Sequence, residues 1–93
     1  MDILWDGRKN RRLKATRNVS FDDVELIILE KRYLAVLENP SRPEQMIFLV
    51  PYQGYTYVVP FEIDAGGNMV LKTIFPSRKF HRLYGAGKGE NQA

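Results

Sequence analysis

The spacing of apolar residues changes near residue 33 of this 93-residue chain, and this change constrains the fold more than any other feature. Before it, the segment F-D-D-V-E-L-I-I-L-E-K-R repeats apolar residues at intervals of three and four, which is typical of an amphipathic helix. After it come four β-branched and aromatic runs of strand length: Y-L-A-V-L-E, M-I-F-L-V, Y-T-Y-V-V-P-F-E-I and M-V-L-K-T-I-F. The short connections between these runs favour an antiparallel sheet.

Capping signals predict the ends of three helices. Asp6 and Ser20 are good N-caps for two consecutive helices, and Asn18 suits the left-handed conformation that separates them. Ser77 caps a short third helix, which Gly85 ends. We therefore predict an α+β fold with two N-terminal helices, a four-stranded antiparallel sheet and a short C-terminal helix that docks through its apolar residues. Those residues are Phe80, Leu83 and Tyr84.

Two residues make specific predictions about the sheet. Pro60 lies inside the third run and has no N–H group, so it predicts a bulge or an unpaired edge at that point. Lys72 alternates in the last run with Val70 and Ile74, so we expect these three side chains to share one face of the sheet.

Length and composition predict one compact domain over residues 1–84 and a flexible tail over residues 85–93. The absence of cysteine excludes disulfides and thiolate metal sites, and a single histidine cannot build a histidine metal site. We accordingly expect no metal and no cofactor. No apolar run reaches the ~18 residues that a membrane span needs, and no secretory signal pattern opens the chain, so we expect a cytoplasmic protein without a membrane partner.

Basic residues form two clusters. Six of the fourteen lysines and arginines lie between residues 8 and 17, where there is no acidic residue. The second cluster lies behind the last predicted strand and consists of Lys72, Arg78, Lys79 and Arg82. This distribution predicts an anionic partner, with solvated basic faces as the alternative.

The second cluster predicts a phosphate site. Arg78 and Lys79 occupy the first turn of a helix capped by Ser77, where the helix dipole disfavours cations. A bound phosphate would remove this conflict, and Lys72 could complete the pocket. The alternative is that both side chains of the helix point into water.

Other kinds of catalytic site have weaker support. Ser20 and Ser77 are better explained as helix caps than as nucleophiles, because neither lies in a G-x-S-x-G motif. Glu62 and Asp64 could form a carboxylate pair, but solvated acidic residues beside a turn are much commoner. His81 alone is more often a packing or surface residue than a catalyst.

Two stretches resemble the BrnT-like toxins of bacterial type II toxin–antitoxin systems. They are W-D-G-R-K-N-R-R-L-K…R-N-V-S-F-D-D-V near the start and L-K-T-I-F-P-S-R-K…L-Y near the end. The resemblance implies a RelE-like α+β domain, metal-independent endoribonuclease activity that slows translation, and a partner antitoxin with a ribbon-helix-helix DNA-binding part. The chain departs from the family pattern at Arg17, where a histidine is frequent, at Asn18, where glycine is usual, and at Leu13, where asparagine is common.

The leading hypothesis is therefore cleavage of RNA, such as mRNA free or on the ribosome, by attack of a ribose 2′-hydroxyl on the adjacent phosphate. Arg78 would clamp the phosphate, while Lys72 and Lys79 would supply positive charge or relay protons. The residues expected to bind RNA are Arg11, Arg12, Arg17, His81, Arg82 and Tyr84. Two alternatives remain open: a protein that binds RNA or antitoxin without catalysis, and a basic first helix that serves only the antitoxin interface.

Overall fold

The computed structural model describes residues 1–85 and contains three helices and a mixed β-sheet. The elements in chain order are β1 (Ile3–Leu4), α1 (Gly7–Arg17), α2 (Phe21–Leu29), β2 (Ala35–Glu38), β3 (Met46–Tyr52), β4 (Tyr55–Ile63), β5 (Met69–Leu71), β6 (Phe75–Pro76) and α3 (Arg78–Tyr84). The α+β class and the three predicted helices are confirmed. In the described part of the chain, no helix has the length and apolar character needed to span a membrane.

The caps of α1 and α2 are the predicted residues. The Asp6 carboxylate accepts hydrogen bonds from the N–H groups of Arg8 and Lys9. Asn18 ends α1 in the left-handed conformation, with φ of 57°. The Ser20 hydroxyl then accepts the N–H of Asp23 and starts α2. Each cap uses groups within a few residues of one another, which is why sequence alone identified them.

A buried asparagine joins the two helices. The Asn10 side chain accepts the N–H of Phe21 at 2.8 Å and donates to the Asp22 carboxylate at 2.9 Å. Lys14 lies 3.2 Å from the same carboxylate oxygen. The hydrogen bond from Asn10 and the nearby Lys14 lower the pKa of Asp22. The start of α2 is therefore tied to the middle of α1 by side-chain hydrogen bonds.

A tyrosine from the sheet completes the cap of α2. The Tyr52 hydroxyl accepts the N–H of Ser20 at 3.0 Å and donates to the Asp23 carboxylate at 2.6 Å. In an ordinary capping box, the third helical residue would contact the cap N–H directly. Here the phenol bridges Ser20 and Asp23, so it also fixes α2 against β3.

The strands follow the order β1-β5-β4-β3-β2, and β6 pairs with β4 beyond the end of β5. All pairings are antiparallel except that between β1 and β5, which is parallel. The prediction of four antiparallel strands is therefore incomplete. The four predicted runs do form strands, with the last one divided into β5 and β6. The two-residue β1 was missed because it is too short to show an alternating pattern.

Two tight turns connect the long strands. Gln53 and Gly54 both have positive φ, of 54° and 74°, and link β3 to β4 as a two-residue hairpin loop. The D-A-G-G-N segment connects β4 to β5, as predicted, and its Asp64 carboxylate accepts the N–H groups of Gly66 and Asn68.

The sheet buries side chains on both faces. One face carries the main core, which contains residues of α1 and α2 together with Phe48, Val50, Val59 and Phe61 of the central strands. The opposite face carries a smaller cluster of Ile47, Leu49 and Val58, against which Phe80 of α3 packs. The sheet thus lies between α1 and α2 on one side and α3 on the other.

The third helix ends where the sequence predicted. The Gly85 N–H donates to the His81 carbonyl at 2.8 Å and closes the last turn. The prediction of a flexible tail over residues 85–93 falls, from residue 86 onward, outside the described residues.

Candidate functional site: a basic groove beside a β-bulge

The strand that carries Lys72 contains a bulge. Leu71 lies opposite Phe61 and Phe75 lies opposite Val58, so four steps along this strand match three steps along β4. One extra residue is therefore accommodated between Leu71 and Phe75, which is the definition of a β-bulge. The bulge separates β5 from β6 and changes the direction in which the intervening side chains point.

Pro60 explains the position of the bulge. Its carbonyl accepts the N–H of Lys72 at 2.9 Å, so its hydrogen-bonding edge faces the bulged strand. The N–H and C=O groups of a residue in an antiparallel strand face the same neighbour, and the nitrogen of Pro60 has no hydrogen to donate. The pairing is thus interrupted where β4 lacks a donor. The sequence predicted a bulge or an unpaired edge at Pro60, and the extra residue lies in the strand that faces Pro60 instead of in β4 itself.

The bulge corrects the predicted face of Lys72. Leu71 and Ile74 are both almost fully buried and both belong to the main core. Residues three apart would point to opposite faces of a regular strand, but the extra residue restores Ile74 to the face of Leu71. The prediction that Lys72 shares a face with Ile74 was therefore wrong, and the Lys72 side chain is exposed.

Lys72 lines an open groove of about 560 Å³. We call it the basic groove. Its charged and aromatic lining consists of Lys9, Arg42, Lys72, Glu62 and Phe75. These residues come from α1, the loop between β2 and β3, the bulge, β4 and β6. Three cationic side chains and one carboxylate give the groove a net positive charge, which suits an anionic ligand.

The two lysines of the groove keep their charge uncompensated. Within residues 1–85, neither Lys9 nor Lys72 has a carboxylate oxygen within 4.0 Å. Arg42 lies 3.7 Å from Glu44, and both side chains are more than half exposed, so this pair contributes little. The groove therefore presents positive charge to solvent instead of neutralising it internally.

The helix α3 places Arg78 and Lys79 as predicted. The Ser77 hydroxyl accepts the N–H of Phe80 at 3.1 Å, and both basic side chains are exposed in the first turn. Among the described residues that line the basic groove, neither of them appears. Arg78 follows groove-lining Phe75 by three residues, so their Cα atoms are at most about 11 Å apart. A ligand of several nucleotides could contact both the groove and this turn.

The docking face of α3 differs from the prediction. Phe80 packs against the sheet as expected, but Leu83 and Tyr84 are 51% and 39% exposed. The half-buried His81 takes their place: its Nδ1 lies 2.9 Å from the Thr56 hydroxyl and its ring stacks on Tyr55 at 4.1 Å. The Ser77 N–H donates to the Thr56 carbonyl, so the cap of α3 and His81 both contact Thr56 of β4.

The remaining predicted RNA-binding arginines lie on two helices. Arg11 and Arg12 are exposed on α1, and Arg82 is exposed on α3. Arg17 also has an exposed side chain, but it donates a hydrogen bond of 2.9 Å to the Ile74 carbonyl. It therefore has a structural contact in addition to any contact with RNA.

The sequence analysis missed four of the five charged and aromatic residues that line the groove. Lys9 was counted only within the first basic cluster, Glu62 was considered as a solvated acid, and Arg42 and Phe75 were not considered as site residues. Arg42 lies in the irregular N-P-S-R-P-E-Q connection, which carries no periodic signal. Only Glu62 could have been identified from a sequence pattern. Strand alternation places its side chain on one face of β4 and the side chain of Phe61 on the other.

Comparison of the chain with protein-family models, curated proteins and solved structures finds no match.

Proposed function

We propose that this protein is an RNA-cleaving toxin of a type II toxin–antitoxin system with a RelE-like architecture and a BrnT-like sequence. The observation that carries the proposal is the basic groove, where Lys9 and Lys72 have no ion-pair partner within residues 1–85. Unpaired cations in an open groove suit the phosphates of a nucleic acid. Two helices followed by a mainly antiparallel sheet and a short basic helix support the RelE-like part of the proposal, although the sheet also contains the parallel pair of β1 and β5.

The nucleic acid in this proposal is RNA, because the proposed chemistry uses the ribose 2′-hydroxyl. Lys72 and Arg78 contact the reacting and neighbouring phosphates, and Lys79 adds positive charge. The exposed ring of Phe75 gives a surface on which an unpaired base can stack. The proposed partner protein is an antitoxin with a ribbon-helix-helix DNA-binding part, and the proposed compartment is the cytoplasm.

Incubation of the purified protein with end-labelled single-stranded RNA in the presence of a metal chelator tests the proposal. We expect cleavage to products with 2′,3′-cyclic phosphate and 5′-hydroxyl ends. Lys72→Ala should reduce cleavage at least 10-fold. The matched control is Arg32→Ala, which removes one positive charge from an exposed pair with Glu30 outside the groove.

A parallel binding measurement addresses the alternative function. Binding that depends on phosphate contacts weakens steeply with added salt. Salt-dependent binding without any cleavage product would assign the chain as a non-catalytic RNA-binding protein. The packing of His81 against Thr56 and Tyr55 is the observation that favours this alternative, because it engages the only histidine in a structural contact.

A further inference from the structure

Glu62 is the only carboxylate residue among those that line the basic groove, all of which lie within the described residues. It belongs to β4, is half-buried and lies opposite Val70 of β5. Within residues 1–85, no lysine or arginine nitrogen lies within 4.0 Å of its carboxylate. Glu62 is therefore placed among cations without forming an ion pair with them, so charge pairing does not explain its position.

A short chain of amides orients the Glu62 carboxylate. The Gln45 Nε2 donates a hydrogen bond of 3.0 Å to Glu62 Oε2. Gln45 is itself 7% exposed, and its Oε1 accepts a hydrogen bond of 3.2 Å from the Asn39 side chain. The Asn39 side-chain oxygen in turn accepts the N–H of Ser41. A buried amide therefore holds one carboxylate oxygen at the groove.

Lys72 is the diagonal neighbour of Glu62 across the strand pair. The Lys72 N–H donates to the carbonyl of Pro60, two residues before Glu62, while Val70 lies directly opposite Glu62. Both side chains line the basic groove, and their charged groups lie more than 4.0 Å apart. This spacing leaves room for a phosphodiester between a carboxylate and an ammonium group.

We propose that Glu62 is the general base of the RNA-cleavage reaction and that Gln45 is its positioning residue. This inference rests on the proposed function. In the step, Glu62 removes the proton of the ribose 2′-hydroxyl, and the 2′-oxygen forms a bond to the adjacent phosphorus. The bond from phosphorus to the 5′-oxygen breaks, and that oxygen takes a proton from the Lys72 ammonium group. The products are a 2′,3′-cyclic phosphate and a 5′-hydroxyl, and water returns the proton of Lys72 and accepts that of Glu62.

The decisive experiment compares Glu62→Gln with the wild-type protein on single-stranded RNA. A general base contributes about 10²–10⁴-fold to the rate, so kcat should fall at least 100-fold. RNA should bind at least as tightly, because the substitution removes a negative charge from a basic groove.

Three further variants separate a catalytic role from a structural one. Glu62→Asp keeps the carboxylate and should cleave RNA faster than Glu62→Gln. Glu44→Gln removes a carboxylate of the neighbouring loop that does not line the groove, and it should cleave as the wild type does. Gln45→Ala should lower kcat with little change in KM, measured on protein whose thermal unfolding confirms that it is folded.

Cleavage by Glu62→Gln at the wild-type rate would overturn the role of Glu62 and leave the proposed function standing. A wild-type protein that binds RNA and never cleaves it would overturn both. Loss of RNA binding together with cleavage in Glu62→Gln would also overturn the inference, because a general base is not needed to hold the substrate.

Discussion

The Nη1 atom of Arg17 donates a hydrogen bond of 2.9 Å to the carbonyl oxygen of Ile74. The two residues lie 57 positions apart in the sequence, at the end of α1 and inside the bulge. The bulge exposes backbone groups that a regular strand pair would satisfy, and Arg17 supplies a donor for one of them. The contact therefore connects the first helix to the segment that carries Lys72.

We expect Arg17→Ala to lower the free energy of unfolding by about 1 kcal/mol, because the Ile74 carbonyl loses its charged donor. Urea unfolding checks this value. The matched control is Arg12→Ala on the exposed surface of the same helix, which should change stability by less than about 0.5 kcal/mol. Equal effects of the two substitutions would show that the hydrogen bond does not stabilise the fold.

Replacement of Asn10 by alanine should destabilise the protein by about 2 kcal/mol. The substitution removes two hydrogen bonds and leaves the buried N–H of Phe21 without its acceptor. Thermal or urea unfolding measures the loss. Thr16→Ala is the control, since its hydroxyl bonds only locally to the Arg12 carbonyl, and a loss as large there would contradict the assignment.

The stability of the protein should depend on Tyr52 at alkaline pH. Burial and the hydrogen bond to Asp23 raise the pKa of the Tyr52 phenol above 10.0. A group whose pKa is raised by folding stabilises the native state below its unfolded pKa and loses this contribution as the pH rises through the folded value. Between about pH 8 and about pH 11, the wild type should therefore lose more stability than Tyr52→Phe does. Parallel pH dependences in urea unfolding would contradict this prediction.

Phe75→Ala should weaken binding of single-stranded RNA by about 10-fold, because stacking of one base contributes about 1–3 kcal/mol. Fluorescence anisotropy with a labelled oligonucleotide measures the affinity. The control is Leu83→Ala, which removes an exposed apolar side chain from α3 outside the groove. If the two variants bind equally well, Phe75 does not contact a base.

Arg78→Ala should abolish translation arrest in bacteria while the protein stays folded. The arginine is exposed in the first turn of α3, so its replacement should change stability by less than about 0.5 kcal/mol. Incorporation of a labelled amino acid after induction measures translation, with Arg32→Ala expressed to the same level as the control. Full arrest by Arg78→Ala would remove this residue from the proposed site.

The sequence by itself determined the helices and most of the strands. The caps Asp6, Ser20 and Ser77 act on N–H groups two or three residues away, so their signal is local. Strand-forming runs are likewise visible within a few residues. Pro60 indicated interrupted pairing at its own position, because its lack of an N–H group is a property of that residue alone.

Only the tertiary structure decided which side chains meet. The parallel pairing of β1 with β5, the register shift that returns Ile74 to the core, and the rotation of α3 onto His81 all depend on hydrogen bonds between distant segments. The basic groove also depends on contacts between distant parts of the chain, since its charged residues Lys9, Arg42, Glu62 and Lys72 come from four separate segments. Local patterns specify elements, whereas register and docking are set by long-range contacts that no short stretch of sequence contains.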